Sequence, residues 1–239
     1  MDENRNGFCL LERVYSERLL ASWWYEFPED RAQCSVNPGH QPLTRRALEK
    51  FQTAQVNAEV NHNRRDEPVI WTSPFPRCLV HSTFAAEMRS RGYTGYTFRS
   101  ATVRFRDGYL SHDYRRLVVT GWGGLARPSS GIRIRNLCSG CDVREYSPLT
   151  DPKLLVDIKQ WDGSDFFVVW PLSESIVVTQ RVATLFQSAK LRSCAIRPLL
   201  APPSAREIWQ WKDGLTVIGL AAVFPKALAA KYRRLPEIV

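Results

Sequence analysis

The sequence predicts an α+β fold: two pseudo-repeated helix–strand–helix–strand halves forming mixed sheets with short helices, followed by a C-terminal extension. Three observations predict it. Apolar runs of period-2 alternation are interleaved with segments of helical spacing. "CLVHSTFAAEMRSRGYTGYTFR", residues 78–99, aligns without gaps with "IVVTQRVATLFQSAKLRSCAIR", residues 176–197, at an offset of 98. Upstream of each copy stands a β-run ending in an aromatic residue and proline, "VIWTSPFP" before the first and "FFVVWPLSE" before the second. The expected halves are residues 1–110 and 111–205, with an extension over 206–239, all packed as one unit.

The elements follow in chain order. Residues 43–60 read as a helix, with Leu48, Phe51, Gln55 and Ala58 on one face. Leu79 and Val80 begin a short strand in the first copy, as Val177 and Val178 do in the second. A helix follows in each, anchored by Phe84 and Met88, and by Val182, Leu185, Phe186 and Ala189. A second strand then alternates, Tyr96 and Phe98 against Cys194 and Ile196. Asp107-Gly108 marks a hairpin turn between Val103-Arg104-Phe105 and Leu117–Val119. In the second half, Thr150 or Asp151 caps a leading helix that has Pro152 at its first position.

The chain carries a net charge of +9 and 44% hydrophobic residues. Ten arginines and two acids fall between Arg89 and Arg135, so most of the excess charge sits in one stretch. A localised basic face suits nucleic acid, an anionic lipid surface or an acidic protein; a solvated β-surface with outward arginines is the plainer account. The polar, acidic N-terminal stretch does not read as a secretory signal, and no apolar run is long enough to span a membrane. The expectation is a cytoplasmic protein with mainly free thiols.

"LCSGC" places Cys138 and Cys141 in a C-x-x-C pair, which needs two further ligands to hold a metal. Subtracting the repeat offset from Cys138 lands on His40, at the end of "CSVNPGH". Cys34, His40, Cys138 and Cys141 together make a Cys3His set, which suits tetrahedral zinc in a structural role. The alternative is four residues with no metal. A redox pair is disfavoured, because "DVREYSP" after Cys141 reads as strand and turn, not as the helix a redox pair caps. Cys9, Cys78 and Cys194 lie in apolar or strand contexts and read as core packing.

Familiar catalytic motifs are absent from the sequence. "TGWGGLARPSSG", residues 120–131, reads as an irregular turn before a phosphate cradle, since it lacks the lysine such a loop uses. Asp162 and Asp165 could serve as acid and base, but their place before a buried strand favours turn formation. Binding is therefore expected, without catalysis. Arg104, Arg106, Arg115 and Arg116, with Tyr109 and Tyr114 as aromatic anchors, are the candidate partner contacts.

"GWGGLARPSSGI", "CSGC", "YSPLTDP", "QWDGSDFFVVWPL" and "RVATLFQSAKLRSCAIRPL", in that order, resemble the double-CxxCG proteins. That family was first noted as paralogues in myxobacteria, and some members are immunity proteins of polymorphic toxin systems. The resemblance covers residues 115–200 well and the first half loosely. The chain departs from the pattern where Asp142 replaces the glycine after the pair, and where Cys34 and His40 stand in the region of the first CxxCG. The resemblance implies an immunity protein that binds a cognate protein toxin, with the basic stretch facing an acidic toxin surface. The rival reading is a zinc-knuckle protein whose arginines contact nucleic-acid phosphates.

Overall fold

The structure is a computed structural model of the 239-residue chain, and it describes residues 7–14, 20–23, 32–40, 54–73, 77–141, 143–172, 174–189, 191–200 and 215–217. In chain order the strands begin with β1 (Phe8–Arg13), β2 (Leu20–Trp23), β3 (Val56–Glu59), β4 (Val69–Ser73) and β5 (Cys78–His81). Helix α1 (Ser82–Ser90) leads to β6 (Tyr96–Arg104), β7 (Leu110–Ser111), β8 (Tyr114–Val119) and β9 (Gly121–Leu125). Then come β10 (Ile134–Leu137), β11 (Arg144–Tyr146), β12 (Phe166–Trp170) and β13 (Ile176–Thr179). Helix α2 (Gln180–Ser188), β14 (Cys194–Pro198) and β15 (Leu215–Val217) complete the described elements.

The protein is mixed α/β, with many strands and, among the described residues, two α-helices. One sheet runs β3-β2-β4-β5-β8-β6-β7, and β3 also pairs with β6, so six strands close into a barrel. Closure removes the exposed edges an open sheet would leave. Ala21, Val56, Ala58, Ile70, Leu79, Ala101, Val103 and Tyr114, drawn from all six strands, pack together in its interior. Trp71, Cys78, Val80 and Leu117 alternate to the outside of the same strands and enter a second core.

That second core is shared with a five-stranded sheet of order β14-β1-β13-β12-β9. Both helices pack into it, with the Phe84 and Phe186 rings edge-to-face at 5.2 Å. Val182, Ala183, Leu185 and Phe186 are buried on one stripe of α2, as its helical spacing requires. The long non-local pairings interleave the two halves of the chain. β1 lies between β13 and β14, and β8 lies between β5 and β6, each antiparallel to both neighbours. The registers correspond: Tyr114 faces His81 and Val119 faces Tyr96, while Phe8 faces Thr179 and Arg13 faces Cys194.

Where the described residues reach the leading helices expected of each half, the structure differs from the expectation. Residues 43–53 of the first lie outside the described residues, and residues 56–59 are strand β3. Val56, Ala58 and Val60 are buried in alternation, so a period of two overrides the helical spacing read through Gln55 and Ala58. In the second half Asp151 does cap with its carboxylate on the Lys153 amide and Pro152 does stand at the first position. The result is a single 3-10 turn over Pro152–Leu154. Most of the extension over 206–239 lies outside the described residues; Leu215–Val217 pairs with β11 at the edge of the β10-β11-β15 sheet. None of the described helices is long and apolar enough to cross a membrane.

Candidate metal centre

Two separate pieces of chain build the site. The first is the turn over residues 32–40. Asn37 organises it: its side-chain oxygen accepts from the Gly39 amide at 2.9 Å, and its carbonyl accepts from the His40 amide at 2.9 Å. The Cys34 amide donates to the His40 carbonyl, which closes the loop and sets both side chains on one side. Asn37 Nδ2 lies 3.1 Å from His40 Nε2, and the ring so held turns Nδ1 toward Cys141.

The second piece is the β10–β11 hairpin. The Cys138 amide donates to the Val143 carbonyl at 2.9 Å, which makes the C-x-x-C segment a tight knuckle at the hairpin end. Val143 is buried with Cys34 and Cys138, and Cys141 packs against them. Gly140 lets the two pieces approach: a Cβ there would lie 2.8 Å from Val36 Cγ2 and 3.1 Å from Cys34 Sγ.

The four sequence-selected ligands come together. One ligand atom from each of Cys34, His40, Cys138 and Cys141 lies within 4.8 Å of all the others, and the cluster could hold a metal ion. Cys34 Sγ is 3.5 Å from Cys138 Sγ, and Cys141 Sγ is 3.6 Å from His40 Nδ1. Backbone amides of Asn37 and Val36 point at Cys34 Sγ from 3.3 and 3.4 Å. The Asn37 contact, aided by that of Val36, lowers the Cys34 thiol from its ordinary value to about 6. Loss of hydration at the knuckle pushes the Cys141 thiol up to about 11. The other three cysteines are elsewhere. Cys9 and Cys78 are buried in the shared core, and Cys194 accepts from Trp71 Nε1 at 3.0 Å.

The candidate partner contacts divide. Arg104, Arg106 and Tyr109 are exposed around the β6–β7 turn, where Arg65 stacks on the Tyr109 ring at 4.1 Å and Leu110 is also exposed. Arg115 is half-buried, with Nη1 donating to the His112 and Tyr114 carbonyls. Tyr114 and Arg116 do not lie on the surface. Tyr114 is fully buried, and its hydroxyl donates to the Arg65 and Glu67 carbonyls. Arg116 is 7% exposed and shares the inward side of β8 with Tyr114. A β-strand turns alternate residues to opposite faces, and in "YRRLVV" that sends 114 and 116 inward together.

Asp162 and Asp165 serve the fold. Asp162 accepts from the Trp122 and Ser164 amides. Asp165 accepts from the Thr94 amide, the Thr179 hydroxyl and the Arg181 guanidinium. The glycine-rich stretch becomes strand β9 against β12, where a Cβ at Gly123 would lie 2.4 Å from the Phe167 ring. Sequence reading missed Asn37 and Gly140; the Asn-Pro-Gly turn and the glycine inside the C-x-x-C pair were the available signals. No protein-family model and no curated protein matches this chain.

Proposed function

We propose that the chain is a zinc-stapled binding protein of the double-CxxCG type, which neutralises a protein toxin by binding it and not by chemistry. The observation that carries this reading is the convergence of Cys34, His40, Cys138 and Cys141 from two distant segments. Zinc–sulfur bonds of about 2.3 Å and zinc–nitrogen bonds of about 2.0–2.1 Å set tetrahedral ligand atoms roughly 3.5–3.8 Å apart. The 3.5 and 3.6 Å separations fall at that spacing. Four protein ligands leave no open coordination position, which suits a structural ion better than a catalytic one. The family resemblance supports the toxin-binding role, and the corresponding registers around β1 and β8 support reading the two halves as copies of one unit.

The contact surface in this reading is the β6–β7 turn, where exposed Tyr109 and Leu110 stand beside Arg104 and Arg106. An aromatic anchor ringed by arginines is a common composition for a protein interface. Co-expression with the protein encoded next to this gene tests it. Rescue of growth and co-purification are expected, and Arg104→Glu with Arg106→Glu should slow association most at low salt. Unchanged binding of that double variant to a neutralised toxin would remove the turn from the interface. The same exposed arginines favour a second reading, contact with nucleic acid. That reading expects affinity for a single-stranded oligonucleotide that falls steeply with salt and needs no protein partner.

A further inference from the structure

The metal centre holds three sulfurs in one small space, and sulfurs can be joined as well as coordinated. Cys34, Cys138 and Cys141 are free thiols. Cys34 Sγ and Cys138 Sγ lie 3.5 Å apart, with both residues buried beside Val143. A disulfide holds its sulfurs at about 2.0 Å, so the two side chains need to close roughly 1.5 Å between them. Cys141 is drawn to a different neighbour, His40 Nδ1 at 3.6 Å, and is only half-buried. Joining Cys138 to Cys141 instead would close a ring within the C-x-x-C segment and leave the turn unattached.

Cys34 is placed as the attacking sulfur of the pair. The Asn37 and Val36 amides donate to its Sγ from 3.3 and 3.4 Å, and such donors stabilise negative charge on sulfur. The cover over the pair is thin. Residues 35–39 of the turn and 139–140 of the knuckle are all exposed, so the two buried sulfurs lie just beneath the surface. The other cysteines are placed differently. Cys9 and Cys78 sit in the shared core, and Cys194 is held by the Trp71 ring nitrogen.

We propose that Cys34 and Cys138 form an oxidation site for hydrogen peroxide, in which a disulfide between them replaces the metal ion as the link between turn and hairpin. The Cys34 thiolate attacks one peroxide oxygen, the O–O bond breaks and hydroxide leaves, giving a sulfenic acid. The Cys138 thiolate then attacks that sulfur; the S–S bond forms, the S–O bond breaks and a second hydroxide leaves. The two sulfurs lose two electrons in all, and the peroxide becomes two waters once each hydroxide takes a proton. Disulfide sulfurs no longer carry the charge that binds zinc, so only His40 and Cys141 remain as ligands and the ion leaves. That last step rests on the metal reading above; the disulfide itself does not. The bond spans the same 104 positions as the ion, so oxidation exchanges one cross-link for another.

Peptide mapping of the full-length chain under non-reducing conditions tests the proposal. Reduced, zinc-free protein is treated with hydrogen peroxide, and the remaining thiols are then blocked. A peptide pair linked through Cys34 and Cys138 is expected as the main product, with Cys9, Cys78 and Cys194 recovered as blocked thiols. A dithiol reductant should undo the link. The linked form should melt roughly 5 °C or more above the reduced, zinc-free form, a gain that the short Cys138–Cys141 ring could not match. Cys141→Ser should still form the link, and Cys34→Ser should not. In the zinc-loaded chain, peroxide should release the ion in step with the link, read with a chromophoric chelator. A main product linked through Cys141 overturns the proposal, as do sulfinic acids without a disulfide or full retention of zinc by the linked protein. A chain that forms the link but never held zinc leaves the pairing standing and removes the metal reading alone.

Discussion

Cys34 and Cys138 are 104 positions apart in the chain, and their sulfur atoms lie 3.5 Å apart in a buried cluster. The contact joins a short turn in the first half to a hairpin in the second. A bound ion there would act as a cross-link, and its binding free energy would add to the stability of the fold. Cys138→Ser should therefore lower zinc content from about one ion per chain to near zero and lower the melting temperature by roughly 5 °C or more. Elemental analysis and thermal melts of freshly purified, reduced protein check this. A chelator should lower the melting temperature of the unaltered chain and leave the variant unmoved. Equal metal content in the two proteins would sink the assignment.

Gly140 tests the same centre without removing a ligand. Its missing Cβ is the space into which Val36 and Cys34 project, so Gly140→Ala should force the turn and the hairpin apart by a few tenths of an ångström. Zinc affinity should fall by roughly 10- to 100-fold, the range found when groups supporting a metal ligand are disturbed. Competition with a chromophoric chelator reads the difference. Affinity should also rise with pH between about 6 and 9, because binding must displace the proton from Cys141, whose thiol is pushed up to about 11. A flat pH dependence would mean that Cys141 is not a ligand.

Asp165 ties three elements together, taking the Thr94 amide, the Thr179 hydroxyl and the Arg181 guanidinium. Burial alone would raise its carboxyl pKa; hydrogen bonds from Arg181, Thr94 and Thr179 outweigh that and hold it below the ordinary value of 3.8. A depressed folded-state pKa gives stability that is present above the unfolded value and lost as pH falls through the folded one. Asp165→Asn should therefore cost about 1–3 kcal/mol at pH 7, with the gap to the unaltered chain closing below about pH 4. Denaturant titrations at pH 7 and pH 3 measure it. A gap that persists unchanged at pH 3 contradicts the charged role of the carboxylate.

What was legible in the sequence divides along physical lines. The strands at Leu79 and Val177, both helices and the strands after them were visible because their apolar periods are local. The metal cluster was found by placing His40 opposite Cys138, although turn and hairpin are unlike in conformation. Barrel closure was not visible, because the β3–β6 pairing of Val56 with Ala101 leaves no local trace in either segment. The same limit hid the inward turn of Tyr114 and Arg116: only the identity of the neighbouring strands decides which face of "YRRLVV" is the interior. A helical reading of residues 43–60 failed at Val56–Glu59 because four residues suffice for a strand but supply little helical period.

The interleaving of β1 and β8 leads to a prediction about the chain cut in two. β1 completes the sheet of β12, β13 and β14, and β8 completes the barrel wall between β5 and β6. A fragment over residues 1–110 therefore lacks the strand that joins β5 to β6, and keeps β1 without either of its partners. A fragment over residues 111–239 lacks β1 and exposes the facing edges of β13 and β14. Each alone carries unpaired backbone groups and an opened core, so each should be insoluble or molten when expressed by itself. Expressed together they hold every strand, and should form a soluble one-to-one complex that survives size-exclusion chromatography. Two independently folded fragments with dispersed amide spectra would show that the halves are separate domains and that the strand exchange is not needed for either.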